Sequence, residues 1–418
     1  MPKNYLFKKI QILLDSKSSI KKDSVFILNG KINSFGKQAE KEAEAFGLKA
    51  QSGGKKLLAP CLVDPHSILE EPFNTRYENI ESLTQKVASA GYGQVALMPR
   101  SPSWRDRVEL LQGLKSNKRE VLVHLWGGFS LQGEGTTLSR HKDLLQNGAI
   151  GLAEDDYMPS IALLKQGFLL GDMSSAPVLL AARDKLLQGE GMVRESVEAL
   201  RSGWYPDPMG SELSPLCQLL ELNRQHPEIA MRLMNISTAG AVDILAQTPK
   251  KPMSSVSWWH LLKDSSSLSP HEIGWSVTPS LGSSHDRESL KKGLKAGVIS
   301  AIAVHSIPLD DSETKLPPTQ RQKGLSSYKL VLPLLWEELI IKSQWEIEKL
   351  WEVLSFGPSR MLKVKEEQLK IGSNRWILFD PDKQWVQTSQ KNNQTSVANQ
   401  PLEGEEICGA VIDSGLFI

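Results

Sequence analysis

The side chains in this sequence best suited to chemistry are imidazoles and carboxylates that close apolar runs. The run LLAPCLVDP ends in Asp64 and His66 and passes into an acidic turn at Glu70 and Glu71. AIGLAE leads into Asp155 and Asp156, and ISAIAVHS carries His305 at its end. Such groups bind divalent cations and hold or move protons. Arg100 and Arg183 follow the runs QVALMP and APVLLAA, where a guanidinium can hold a small anion. Each residue also has a plainer reading: a hydrogen-bonded histidine at a strand end, solvated loop carboxylates, and arginines in surface salt bridges.

The elements that must position these groups are legible in the hydrophobic pattern. Eight apolar runs of strand length (LLAPCLVDP, QVALMP, VLVHLW, AIGLAE, APVLLAA, AMRLMNIS, SSVSWWHLL and ISAIAVHS) alternate with helix-period segments, as in repeated βα units around a parallel sheet. NIESLTQKVASAGY places Ile80, Leu83, Val87 and Ala88 on one stripe, and YKLVLPLLWEELIIKS tolerates Pro333 only in its first turns or as a kink. Eight units favour a closed barrel over an open sheet, and a barrel displays its reacting groups at the C-terminal strand ends. Residues 1 to about 56 read as short strands with turns, Asn29-Gly30 marking a hairpin, and WILFDPDKQWVQT and EEICGAVIDSGLFI read as strands at the other end. QKNNQTSVANQ, at 390 to 400, reads as a loop.

Composition narrows the classes. The 418 residues suffice for a barrel of about 250 residues and a second unit. A formal charge of +1 gives no global field for nucleic acid or a membrane surface. Cys61, Cys217 and Cys408 lie far apart without CxxC spacing, which favours neither a disulfide framework nor a zinc ribbon. IQILL, the longest apolar piece near the N-terminus, is too short for a signal-peptide core, so the expectation is a soluble cytoplasmic protein without a membrane span.

The segments LLAPCLVDPHSILEEP and VALMPRSP resemble the dihydroorotases of the amidohydrolase superfamily, in which one strand ends in D-x-H-x-H-x-R-E-P and the next in M-P-N-T. The similarity extends along nearly the whole chain, and RLMNISTAGAV resembles H-I-x-H-V-S-T-A-x-S-V. It implies a (β/α)8 barrel beside a composite β-sandwich built from both flanks, the C-terminal N-T-P-F-x-G signature falling on Asn399 to Gly404. It also implies zinc and cyclic amide hydrolysis, but the family's ligand positions are altered residue by residue. His66 and Asp156 are kept, with Asp155 beside the latter. Ile68, Ala181 and Asn235 stand at three histidine positions, and His305 stands where the family has an aspartate that is both metal ligand and general base. The substrate positions fall on Glu70 for arginine, Arg100 for asparagine and Leu309 for histidine, so one charge is reversed.

The sequence therefore predicts an α/β protein with residues 1–56 and 357–418 forming the β-sandwich and 57–356 the barrel. Scaffold motifs survive while chemical positions change. The resemblance then implies a non-catalytic dihydroorotase homologue of pyrimidine synthesis, with zinc absent or weakly bound, acting as a structural or regulatory partner of aspartate transcarbamoylase. A homo-oligomer is expected, and neither nucleic acid nor a membrane as partner. Two alternatives stay open: a cyclic amide hydrolase with a rebuilt one-metal site of His66, Asp156 and His305, with Asp64 nearby, and a sensor holding an anion on Arg100 and Arg183. The basic segment KLPPTQRQKG, at 315 to 324, is expected to be a solvated connection or a partner-facing loop.

Overall fold

The computed structural model describes residues 4–70, 78–100, 104–112, 121–173, 175–317, 320–388 and 397–416. In chain order the flank strands β1 Tyr5–Ile12, β2 Lys21–Leu28, β3 Lys31–Phe35, β4 Ala50–Ser52 and β5 Leu57–Pro60 come first. The strands β6 Leu62–Ser67, β7 Tyr92–Leu97, β8 Leu122–Gly128, β9 Gly151–Ala153 and β10 Pro177–Ala181 follow. A two-residue pair, β11 Val193–Arg194 and β12 Pro206–Asp207, precedes β13 Ala230–Met234, β14 Met253–Ser257 and β15 Ala301–Ala303. The chain ends in β16 Trp376–Val386 and β17 Glu406–Ser414.

All eight strands expected for the barrel form, and they lie in one parallel sheet in the order β15-β14-β13-β10-β9-β8-β7-β6. Both faces are covered, so side chains alternate between two apolar environments rather than between apolar and wet. Val63, Ala96, Leu179 and Ala181 share an inner cluster with Trp126 and Met234. Their neighbours Leu62, Val95, Leu97, Val178 and Leu180 pack in the outer cluster. The inner cluster is the filling of a barrel, and Trp126 is its largest member, wholly buried, with Nε1 donating to the Pro65 carbonyl at 3.1 Å. Gly151 makes room for it, because a Cβ there would stand 2.6 Å from the indole.

The seam between the first and last strands is closed by polar groups. Ile68 N–H donates to the Ser306 carbonyl at 2.8 Å, and the buried Asp64 carboxylate accepts from Val304 N–H at 3.0 Å. Ser67 Oγ accepts from Ser306 N–H at 2.8 Å and donates to Asp64 at 2.5 Å, and Tyr328 O–H donates to the same carboxylate at 2.8 Å. Buried donors and acceptors left unpaired cost free energy, so this network fixes the register at closure.

Outside the sheet, the helix Ile80–Ser89 begins at an Asn79 capping box with Ser82 and buries Ile80, Leu83, Val87 and Ala88, the stripe read from the sequence. Pro333 lies in the short helix Val331–Leu335, where its missing N–H is tolerated. Among the described residues no helix is long and apolar enough to cross a membrane.

The two flanks join in one sheet, ordered β17-β16-β5-β1-β2-β3 with β4 beside β1. Asn29 and Gly30, with φ of 51° and 74°, make the β2–β3 turn in the left-handed conformation that this pair adopts readily. Two details differ from the sequence expectation. Residues Gly36–Ala45 form a helix where only strands and turns were expected; its Lys, Glu, Gln and Ala are strong helix formers, and Ala39 and Ala43, one turn apart, are buried. The run starting at Leu57 serves two sheets: Leu57–Pro60 pairs with β1 and β16, and the barrel starts at Leu62. At the other limit Met361 and Leu362, from the helix Gly357–Leu362, pack into the inner barrel cluster.

Candidate active site at the C-terminal strand ends

His66 and His305, on opposite sides of the seam, meet at the mouth of the barrel. Their Nδ1 atoms lie 3.1 Å apart, with ring planes at 74°. Each ring is engaged at its other end as well: His66 Nε2 lies 2.8 Å from Ser255 Oγ, and His305 Nε2 lies 3.2 Å from Asp156 Oδ1. The contact between His305 and Asp156 is one of ion-pair distance and not a hydrogen bond, since neither His305 Nε2 nor Asp156 Oδ1 has a hydrogen-bond partner among the described residues. Asn235 N–H donates to Ser255 Oγ at 3.0 Å, and the same hydroxyl is the partner of His66 Nε2. Between the two rings, Nδ1 of one donates to Nδ1 of the other. Burial, and next the neighbouring His305, push the His66 pKa well below the usual histidine range, in keeping with a neutral ring.

The local backbone explains how these side chains reach the mouth. His305 and Asn235 leave strands β15 and β13 with φ of 46° and 52°, in the left-handed region that non-glycine residues seldom occupy. Such conformations persist where the surroundings over-determine them. Both Asn235 side-chain atoms are buried without a hydrogen-bond partner among the described residues.

Charge at the rim is compensated internally. Arg100 Nε donates to Glu70 Oε1 at 2.8 Å, and its Nη1 lies 3.7 Å from Asp155 and 3.5 Å from Asp156. Gln322 donates to the same Glu70 oxygen at 3.0 Å. Burial alone would lower the Arg100 pKa, but the three carboxylates outweigh it and raise it. Burial likewise acts upward on Asp156, and the charges of His305, Arg183 and Arg100 reverse that and hold it far below the usual carboxylate range. Asp155 moves the other way, raised by burial and then by the Asp156 charge. Arg183 is buried against the Tyr157 ring, 5.9 Å from its centroid, and its Nη1 has no hydrogen-bond partner among the described residues.

The remaining family positions are apolar. Ile68, Ala181 and Leu309 all belong to the inner cluster and are essentially inaccessible to solvent. Zinc needs three or four lone pairs converging at about 2.0–2.3 Å. Here three positions offer carbon or an amide, the two imidazoles are spent on each other, and Asp156 is spent on His305 and Arg100. Among the described residues no group of three His, Cys, Asp or Glu side chains is arranged to hold a metal ion. The residues present do not fit a zinc site.

The structure brings together His66, His305, Asp156, Arg100 and Glu70, and sets Ile68, Ala181 and Leu309 in the apolar floor. Asn235 acts through its backbone N–H. Sequence reasoning missed Ser255, Gln322, Tyr328 and Trp126. Ser255 and Trp126 lie on the runs SSVSWWHLL and VLVHLW, and period-2 alternation would have placed each on a barrel face; Gln322 and Tyr328 carry no local signal. Asn399, in the C-terminal signature, ties the sheet to the mouth: its Oδ1 accepts from Leu309 N–H at 3.0 Å and its Nδ2 donates to the Ile307 carbonyl at 2.8 Å. The segment 315 to 324 is described except for 318–319, and Glu71 and Pro72, with 390 to 396 of the polar stretch, lie outside the described residues.

Comparison with known proteins agrees with this architecture. A probable dihydroorotase-like protein of Synechocystis sp. is 31% identical over 398 residues, covering 86% of this chain and 88% of that protein. The chain belongs to the dihydroorotase-like family. A dihydroorotase of a Thermoanaerobacter species is 25% identical over 373 residues, covering 87% of this chain and 86% of its own length. No protein-family model matches the sequence. Among solved structures, the L-hydantoinase of Arthrobacter aurescens superposes with a TM-score of 0.77 at 16% identity, covering 99% of this chain and 94% of that one. The dihydropyrimidinase of Brevibacillus agri gives 0.75 at 15%, covering 99% and 93%. At such identities these two structures speak for the fold alone. The dihydroorotase-like chain thus keeps the scaffold of metal-dependent amidohydrolases while its mouth is paired and filled by its own side chains.

Proposed function

We propose that this dihydroorotase-like chain is non-catalytic and serves pyrimidine synthesis through its shape, as a structural or regulatory partner of aspartate transcarbamoylase. The observation that carries the first half is the closed series Ser255–His66–His305–Asp156 above the apolar floor of Ile68, Ala181 and Leu309. Hydrolysis of a cyclic amide by this family needs hydroxide at neutral pH. A bound cation supplies it by lowering the pKa of water from about 15.7 to about 7, equivalent to about 12 kcal/mol. No set of hydrogen bonds at the mouth replaces an effect of that size.

The substrate positions point the same way. Glu70 repels the carboxylate that the family's arginine binds, and Arg100 is neutralised by Glu70, Asp155 and Asp156 rather than free for an anion. The partner rests on the family resemblance, since non-catalytic dihydroorotase-like chains assemble with aspartate transcarbamoylase there. Co-expression with that enzyme, followed by size-exclusion chromatography, tests it. A shared peak of greater mass than either chain alone supports the partnership, and two independent peaks at every concentration sink it.

A further inference from the structure

A second site lies at the opposite end of the barrel. Beneath the N-terminal ends of β13 and β14, a groove of about 930 Å³ is lined by the end of the helix Gly210–Gln225, the loop before β13, the loop before β14, and Lys363. Its lining holds five cationic side chains and two carboxylates, on a chain whose formal charge is only +1. The two carboxylates are already engaged, Glu221 with Arg224 at 2.7 Å and Glu228 with His226 at 3.4 Å. Arg232, Lys250, Lys251 and Lys363 have no carboxylate within 4.0 Å among the described residues.

Arg232 is the anchor. It is 9% exposed, and its Nε and Nη1 donate to the Met361 and Met231 carbonyls at 3.0 and 2.9 Å, leaving Nη2 without a hydrogen-bond partner among the described residues. Burial lowers its pKa, the mark of a guanidinium held without a counter-charge. Nη2 is the part of Arg232 left for a ligand in the groove, and guanidinium matches phosphate oxygens in geometry. Leu220 and Met253, both half-buried, line the same groove with apolar side chains. Its volume exceeds what phosphate groups alone would fill and falls in the range of small-molecule sites.

We propose that this groove binds a nucleoside polyphosphate, its phosphates on Arg232, Lys250, Lys251 and Lys363 and its base against Leu220 and Met253. The same strands β13 and β14 carry Asn235 and Ser255 at their far ends, so a ligand here would press on the elements that hold the His66–His305 pair. The site stands apart from the barrel mouth and does not rest on the function proposed above.

Isothermal titration of the full chain in about 0.1 M salt tests it, with ATP and UTP as probes and with tripolyphosphate and uridine in separate arms. The expected result is saturable binding of a nucleoside triphosphate, tighter than either half molecule. The double variant Lys250→Glu, Lys251→Glu, whose side chains lie at the surface or are half-buried, should weaken it by about tenfold or more with an unchanged melting temperature. Arg232→Met should abolish it, and because that residue is buried its folding is checked by the same melting curve. Absence of binding by both triphosphates, or unaltered binding by the double variant, overturns the proposal. Tripolyphosphate binding as tightly as ATP or UTP overturns the nucleoside part and leaves a plain anion site.

Discussion

Replacing Asp64 by asparagine separates the two roles of this carboxylate at the barrel seam. Its Oδ1 accepts from Val304 N–H, and its Oδ2 accepts from the Ser67 and Tyr328 hydroxyls. An asparagine keeps the first acceptor, and its amide N–H groups face two hydroxyls that can turn and accept, so the seam stays closed. What the substitution removes is ionisation. Burial pushes Asp64 up from 3.8 to about 6, with the Ser67, Val304 and Tyr328 hydrogen bonds pulling the other way. An acid whose folded pKa lies above its unfolded one holds an extra proton in the folded state. Its contribution is therefore full below pH about 4 and is lost as the pH rises through about 6. The displacement of about two units corresponds to about 3 kcal/mol, of which about 2 kcal/mol falls between pH 4.5 and 7.5. Urea unfolding of both proteins across that window measures it. The variant should gain about 2 kcal/mol on the wild type from the acid end to the neutral end. A difference that stays constant with pH refutes the buried, proton-holding carboxylate.

Two further substitutions probe the mouth and the floor. Ile68→His restores one imidazole of the resembled motif but places it in the apolar cluster, so it should bind no stoichiometric zinc by plasma emission analysis. It should also lower stability by about 1–3 kcal/mol in urea, the usual cost of a buried unpaired polar group. Trp126→Ala empties the largest volume inside the barrel and should cost about 3–5 kcal/mol, read as a lower urea midpoint at unchanged far-ultraviolet circular dichroism.

Much of this architecture is legible in the sequence because it is written locally. Eight apolar runs, each bounded by turn residues, identify buried parallel strands, and the Asn29-Gly30 pair identifies its hairpin. The helix at Gly36–Ala45 escaped because its polar surface hides a two-alanine buried face. The split of the run after Leu57 escaped because both halves are equally apolar, and only their partners, β1 and β16 for one and β7 for the other, tell them apart. At the site, the residues themselves could be named from the motifs, including the apolar ones at ligand positions. Their mutual arrangement could not, since His66 and His305 are 239 positions apart and the left-handed backbone at Asn235 and His305 has no sequence mark. Arg100 shows the same limit: its type suggested an anion site, and the structure sets it between Glu70, Asp155 and Asp156.

Whether the paired imidazoles and the apolar floor leave any place for a catalytic cation decides between an inert and an active barrel mouth. The most direct measurement is the metal content of the purified chain, taken together with turnover of dihydroorotate and of carbamoyl-aspartate after incubation with zinc. The arrangement of His66, His305 and Asp156 predicts far less than one metal ion per chain and no hydrolysis above the buffer blank. Near one zinc per chain, with turnover that a chelator abolishes and zinc restores, would contradict it.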